Sequence, residues 1–304
     1  MKKVLITGGA GFIGSHCADL FLAHGYQVGV FDLKTKEEAV NLTHVMDNIT
    51  YVEGDVRNLA QLTQVLAGYE YVLHLAAIVS VQDSILDPIG THATNVTGTL
   101  NVLQAAVDND IEHVVYASSA AVYGDTQVVP TPEDAPLLPL SPYGLHKVYN
   151  EGYARLYNLQ YNLTSTGLRF FNVYGSRQDP GSPYSGVISI FCKKMQEGER
   201  PFIYGDGNAT RDFIHVSDVA QECLRALQTS ECGACVRNVG TGQALTINSL
   251  IEHLNTILLT TIEPVFNQAR LGDIVHSCAV VQKKDPEGKT VDLHTGLKET
   301  LGLS

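Results

Sequence analysis

The chain has 304 residues, 44% of them hydrophobic and 17% charged, with a formal net charge of −12. That length and composition suit a soluble globular protein with a substantial core, in one large domain or two unequal ones. The acidity excludes a general nucleic-acid or anionic-membrane surface, and no apolar run approaches the ~18–20 residues of a membrane span. Residues 1–6 reach Thr7 and Gly8 too soon for a secretory signal, and six cysteines without framework spacing point to a reducing cytoplasm. Cys232-Gly-Ala-Cys235 lacks the second pair that would complete a metal site, so buried thiols and a turn are expected there. None of the 11 histidines forms a recognised metal motif, and no metal is expected.

Val4-Leu5-Ile6-Thr7 reads as a short buried strand, followed at once by Gly8-Gly9-Ala10-Gly11-Phe12-Ile13-Gly14. Glycines at 8, 11 and 14 let the backbone turn tightly and approach a ligand. The helix they open, expected over 12–24, presents its N-terminal N–H groups to an anion such as a pyrophosphate. A glycine cluster alone is weak evidence, but its place between a strand and an apolar helix is what a dinucleotide motif requires. The next strand, 28–31, ends in Asp32, 18 residues past Gly14, where a ribose 2′-hydroxyl would be read. A carboxylate there repels a 2′-phosphate, which favours NAD over NADP.

Strand and helix patterns then alternate, with strands at 51–53, 71–75 and 114–117 and an amphipathic helix over 91–109. This order implies a parallel sheet covered by helices on both faces, a doubly wound α/β fold with ligands at the strands' carboxyl ends. Asp32, Asp55, Ala76 and Ser118-Ser119 all fall at such ends, the strongest pointer in the sequence to a single site. A proline-rich connection, 130–142, then delivers Ser141-Pro142-Tyr143-Gly144-Leu145-His146-Lys147. Ser141 suits an N-cap and Pro142 a first helical turn. Tyr143 and Lys147 then share one helix face, a turn apart. A free tyrosine titrates near 10, and lowering that by ~3 units takes about 4 kcal/mol of preference for phenolate. A cation near 4 Å supplies ~4 kcal/mol at an effective dielectric of ~20. Lys147, helped by a second positive charge such as an oxidised nicotinamide, would make Tyr143 a base.

The second half changes character. A strand over 168–175 leads into a loop-rich segment, 176–186, then a helix to about 197, a turn-strand at 202–207, Arg211-Asp212-Phe213-Ile214 and Arg270-Leu271-Gly272-Asp273. Two isolated arginines, Arg211 and Arg270, suit a diphosphate in so acidic a chain, because each guanidinium can bind two oxygens.

In this order, Thr7-Gly-Gly-Ala-Gly-Phe-Ile-Gly14, Asp55-Val-Arg57, His74-Leu-Ala-Ala77, Ser118-Ser119, Tyr143 with Lys147, Arg169-Phe-Phe-Asn172, Arg211-Asp212 and Arg270-Leu-Gly-Asp273 resemble the extended short-chain dehydrogenase/reductase family, in particular its nucleotide-sugar epimerases. The resemblance runs from residue 4 to about 277. It implies an NAD-binding Rossmann domain over 1–172, also receiving about 213–242, and a smaller C-terminal α/β domain from 173–212 and 243–304 that binds a UDP-sugar. It also implies a homodimer that pairs the helix at 91–109 with the one starting near Tyr143. Carried over by position, Tyr143 is the acid/base, Lys147 its pKa-lowering partner and ribose ligand, and Ser119 a hydrogen-bond partner of the reacting hydroxyl. NAD would be held by Gly8, Gly11, Phe12, Ile13, Gly14, Asp32, Asp55, Val56, Ala76, Ala77 and Asn95 together with Tyr143 and Lys147. The substrate would meet Ser80, Ser119, Tyr143, Asn172, Val187, Tyr204, Arg211, Arg270, Asp273 and Ser277.

The chain departs from the family pattern in two places. After Asp273 the tail is short, with 280–286 standing where relatives have a fuller helix, and Val79 is apolar where some epimerases carry a lysine. Relatives that eliminate water resemble a Thr-Asp-Glu run beside the tyrosine, where this chain has Ala120 and Ala121, which cannot move protons. The resemblance therefore implies 4-epimerisation of UDP-hexoses over dehydration or decarboxylation, with a UDP-glucuronate 4-epimerase as the alternative. Ser277, seven past Arg270, is small where a bulky tyrosine goes with restriction to 2-hydroxyl sugars, so N-acetylated UDP-hexoses are expected to fit too.

Overall fold

Val4, Leu5 and Ile6 are fully buried in the first strand, as a strand covered on both faces demands. The computed structural model describes residues 2–179, 181, 186–229, 233–269, 274–281 and 290–303. Its first stretch runs β1 (Lys3–Thr7), α1 (Phe12–Ala23), β2 (Gln27–Asp32), β3 (Thr50–Glu53), α2 (Leu59–Leu66), β4 (Tyr71–His74), α3 (Val81–Leu86), α4 (Pro88–His92), α5 (Gly98–Asp108) and β5 (His113–Ser119). It continues with α6 (Pro142–Tyr161), β6 (Ser165–Phe170), β7 (Asn172–Tyr174), α7 (Val187–Gln196), β8 (Phe202–Tyr204), β9 (Thr210–His215), α8 (Val216–Gln228) and β10 (Ala234–Val239). The last elements are β11 (Ala244–Thr246), α9 (Ile247–Leu258), β12 (Val265–Asn267) and α10 (Leu293–Thr300).

Seven strands form one sheet in the order β10-β6-β5-β4-β1-β2-β3, and the pairings from β5 to β3 are parallel. Strand order reverses beside β1, which pairs with β2 on one side and β4 on the other, the switch point where such sheets bind ligands. There Thr7 pairs with His74, and Asp32 with Glu53 one strand further out. A core of Leu5, Phe31, Leu62, Val72, Val102, Leu103 and Val114 locks the sheet to its helices.

The chain divides into two compact units. The first holds Met1–Val122, Pro139–Arg169 and Ala220–Arg237; the second holds Tyr123–Leu138, Phe170–Val219 and Asn238–Ser304. The first half of the proline-rich connection thus belongs to the second unit. That unit is built on a three-stranded sheet, β11-β9-β7, and a two-stranded sheet, β12-β8, around a core that includes Tyr174, Phe213, Leu250, Leu254 and Leu297.

Three local expectations change. The helix foreseen over 91–109 comes as α4, a π turn at Ala93–Thr97 and α5, and it starts earlier because Asp87 caps Gly90 N–H at 2.9 Å and Pro88 opens the first turn. The short tail does supply a closing helix, α10, capped by Asp292 and anchored by the fully buried Leu297. Cys17, Cys192, Cys223 and Cys278 are free buried thiols, but Cys235 is disulfide-bonded, contrary to the expectation for the Cys-x-x-Cys turn. Cys232 lies outside the described residues. Among the described residues no helix is long and apolar enough to cross a membrane, and no cluster of His, Cys, Asp and Glu could hold a metal ion.

Candidate active site

The glycine loop closes on itself at the end of β1. Gly8 has φ +71°, and a Cβ on it would lie 2.7 Å from the Ala76 nitrogen; one on Gly14 would lie 2.4 Å from the Gly8 carbonyl oxygen. Only glycine lets these chain segments approach so closely. Helix α1 begins at Phe12 and Ile13, after an extended Gly11 that offers no side-chain cap to the helix's first-turn N–H groups. That arrangement fits a pyrophosphate. At the end of β2, Asp32 accepts Ala10 N–H at 2.9 Å and Lys34 N–H at 3.1 Å, which fixes its carboxylate beside the loop. Asp55, after β3, is gripped by Arg57 through both oxygens, and that guanidinium holds its carboxyl below the usual range. Val56 is buried beneath Gly98. Ala76 and Ala77 follow β4, and Asn95, in the π turn, clamps both the N–H and the carbonyl of Ile78 at 2.8 Å.

Tyr143 stands in the first turn of α6. Ser141 caps that helix by accepting Gly144 N–H at 3.1 Å, as the sequence led us to expect. Ser84, fully buried in α3, accepts Tyr143's own N–H at 3.1 Å and donates to the Val81 carbonyl at 2.6 Å. A Cβ at Gly144 would meet the Ala121 carbonyl at 2.6 Å, so this helix end is seated directly on the segment after β5. Ser119, the last residue of β5, accepts Ala121 N–H at 3.2 Å, and its hydroxyl acts to lower the pKa of the Tyr143 phenol. Ser80 is buried as the cap of α3, accepting Asp83 N–H at 2.9 Å.

Lys147 is 3% exposed, and its Nζ donates to the Ala117 carbonyl at 2.7 Å while lying 5.7 Å from the centre of the Tyr143 ring. Burial depresses its pKa to about 8, with the Glu151 carboxylate pulling the other way. Burial likewise raises the Tyr143 phenol above its ordinary value, against the lowering effect of Ser119. Burial thus opposes the charged form of both groups, and the second positive charge that the sequence reading called for is what a phenolate at Tyr143 would require.

In the second unit, β9 carries Arg211, whose Nη1 donates to the carbonyls of Thr210 (2.8 Å) and Val275 (3.3 Å). Asn172 opens β7 and pairs with Phe213, so the alternation of side chains places Asn172 and Arg211 on one face of that sheet. Ser277 donates its N–H to the Thr210 carbonyl at 3.1 Å, which ties it next to Arg211. Val187 begins α7, and Tyr204 ends β8, 42% exposed. Arg270 and Asp273 lie outside the described residues.

Two side chains that shape this site were not singled out from the sequence. Ser84 reaches Tyr143 from 59 residues away, and no local pattern announces it. Glu151 had a visible signal, one further helical turn beyond Tyr143 and Lys147, but its partners Ser118 and Arg169 come from two separate strands.

The model of the NAD dependent epimerase/dehydratase family matches residues 4–240. The chain is 37% identical over 302 residues to a putative UDP-glucose 4-epimerase of Methanocaldococcus jannaschii, covering 98% of this chain and 97% of that protein. Among solved structures, the UDP-N-acetylglucosamine 4-epimerase of Methanobrevibacter ruminantium M1, in complex with UDP-N-acetylmuramic acid, superposes with a TM-score of 0.93 at 35% identity, covering 99% and 97% of the two chains. The UDP-glucose 4-epimerase of Thermotoga maritima with UDP-glucose gives 0.91 at 35% identity, over 99% and 97%.

Proposed function

The chain belongs to the NAD dependent epimerase/dehydratase family, and from that membership we propose that it is an NAD-dependent 4-epimerase of UDP-hexoses, accepting glucose and galactose and their N-acetylated forms. The observation that carries this reading is the buried Lys147 ammonium, 5.7 Å from the centre of the Tyr143 ring on the same face of α6. Bound in the glycine loop and read by Asp32, oxidised NAD supplies a hydride acceptor and a second positive charge. Tyr143 then takes the proton of the sugar's 4-hydroxyl, Ser119 orients that hydroxyl, and Lys147 stabilises the phenolate. Asn172 and Arg211, with Arg270, hold the diphosphate, while Val187, Tyr204, Asp273 and Ser277 complete the nucleotide-sugar site and Ser80 faces the sugar. A grip through nucleotide and phosphates leaves the keto sugar free to turn its other face before the proton returns from Tyr143.

The first unit would thus hold the cofactor and the second the UDP-sugar. Ala120 and Ala121 offer no group for elimination, which disfavours a dehydratase. A homodimer fits the apolar stripe that α6 exposes at Leu145, Tyr149 and Leu156, with Ile89 of α4, 82% exposed, in the same unit. The test is Tyr143→Phe, assayed for UDP-glucose and UDP-galactose interconversion. Turnover should be lost while NAD remains bound; near-normal turnover would remove Tyr143 as the base.

A further inference from the structure

Glu151 lies one turn beyond Lys147 on α6, so Tyr143, Lys147 and Glu151 rise along a single helix face. Its side chain is 8% exposed, and that of Arg169, its partner on β6, 4%. One carboxylate oxygen accepts the Ser118 hydroxyl at 2.5 Å and Arg169 Nε at 2.9 Å, and the other accepts Arg169 Nη2 at 2.7 Å. Ser118 sits between the two functional points of β5. Ala117 before it offers the carbonyl that takes Lys147 Nζ, and Ser119 after it meets the Tyr143 phenol. A buried ion pair is weak support for stability, since apolar side chains of similar volume pack in its place about as well. A fixed negative charge is what such side chains cannot supply.

The groups facing Lys147 come from every element packed on it. Ala117 of β5 presents its carbonyl, His74 at the end of β4 is buried and held neutral, and His146 and the Tyr143 ring share α6. Arg169 of β6 and Tyr116 of β5 face the carboxylate of Glu151.

We propose that Glu151 is a positioning residue for the epimerisation: its carboxylate fixes Ser118, and with it Ser119 against Tyr143, and holds a negative charge one turn from the Lys147 ammonium. This rests on the reaction assigned above and adds to it the residue on which the charge of Lys147 depends. Without that charge, burial drives Lys147 toward the neutral amine at lower pH, and the phenolate of Tyr143 loses its counter-ion.

The experiment uses NAD-loaded protein in three variants. Glu151→Gln removes the charge while keeping an oxygen for Ser118. The double variant Glu151→Gln/Arg169→Gln also removes the buried positive charge that Glu151 balances, so it reports even if the single variant fails to fold. Ser118→Ala cuts the tie and keeps the charge. For each, kcat/KM for UDP-glucose is followed against pH, and the Tyr143 phenolate is followed by ultraviolet difference absorbance against Tyr143→Phe. Both Glu151 variants should move the alkaline limb down by about one pH unit, with phenolate appearing at higher pH. Ser118→Ala should lower kcat with the limb unmoved. A folded Glu151 variant with an unmoved limb and an unmoved phenolate titration would make the residue a purely structural one and overturn the proposal. Wild-type protein that epimerises nothing would overturn the reaction instead, and the absorbance titration would still decide the role of Glu151.

Discussion

Ser84→Ala is a direct probe of how Tyr143 is held. The Ser84 hydroxyl is fully buried and accepts the Tyr143 N–H at 3.1 Å, while Ser141 takes the next N–H of the helix. An alanine leaves the Tyr143 N–H inside the protein without an acceptor, at a cost of about 1–3 kcal/mol. It also removes the donor to the Val81 carbonyl, which ties the start of α3 together. Global stability, measured by urea denaturation, should fall by that amount. The catalytic effect should fall chiefly on kcat, because Tyr143 sits less firmly over Lys147. Ser141→Ala should destabilise by a similar ~0.5–2 kcal/mol through loss of the cap. If Ser84→Ala loses less than about 0.5 kcal/mol and keeps its kcat, the Tyr143 N–H has another acceptor and the reasoning fails.

Asp32 should make NAD strongly preferred over NADP, and Asp32→Ser should narrow the gap; tighter NADP binding to the unmodified protein would contradict this. Ser277→Tyr should lower kcat/KM for UDP-N-acetylglucosamine by roughly 5- to 150-fold and spare UDP-glucose, because the Thr210 contact fixes Ser277 beside Arg211 and overpacking a rigid pocket costs about 1–3 kcal/mol. Equal loss on both sugars would place the gate elsewhere. Acid should destabilise the fold through its buried histidines, since burial holds His74 at about 3 and His113 at about 4 in the folded state. Both values lie below the ordinary ~6.5, so as pH falls beneath that point the unfolded chain takes up protons that the folded one does not. Stability is therefore fully present above pH ~6.5 and declines by up to about 1.4 kcal/mol per pH unit for each group on the way down. His74→Gln should lose less stability between neutral and mildly acid pH than the wild type, and parallel curves would refute the assignment.

The first unit was largely legible in the sequence because its signals are local. A buried run, a glycine turn and an apolar helix are contiguous in β1 and α1, and Ser141-Pro142 announced α6 to the residue. What stayed hidden depends on partners distant in the chain. The π turn at Ala93–Thr97 places Asn95 on Ile78, 17 residues earlier, and helical periodicity carries no trace of such a clamp. The state of Tyr143 and Lys147 was also hidden: their spacing shows that they are neighbours, but not that burial works against the charged form of each. In the second unit Arg211 could be picked out by its rarity in an acidic chain. The tie that gives Ser277 its place runs through Thr210, 67 residues before it, and no motif shows that pairing.

The most direct test of the reaction follows the hydrogen at the sugar's C4. Purified protein incubated with UDP-glucose deuterated at that carbon, in ordinary water and without added hydride donor, should yield UDP-galactose with the deuterium still at C4. That outcome requires the same hydride to leave and return while Tyr143 handles only the hydroxyl proton. Formation of a 4-keto-6-deoxy product, loss of the label to solvent, or protein that releases NAD on denaturation yet forms no epimer from any UDP-hexose would contradict it.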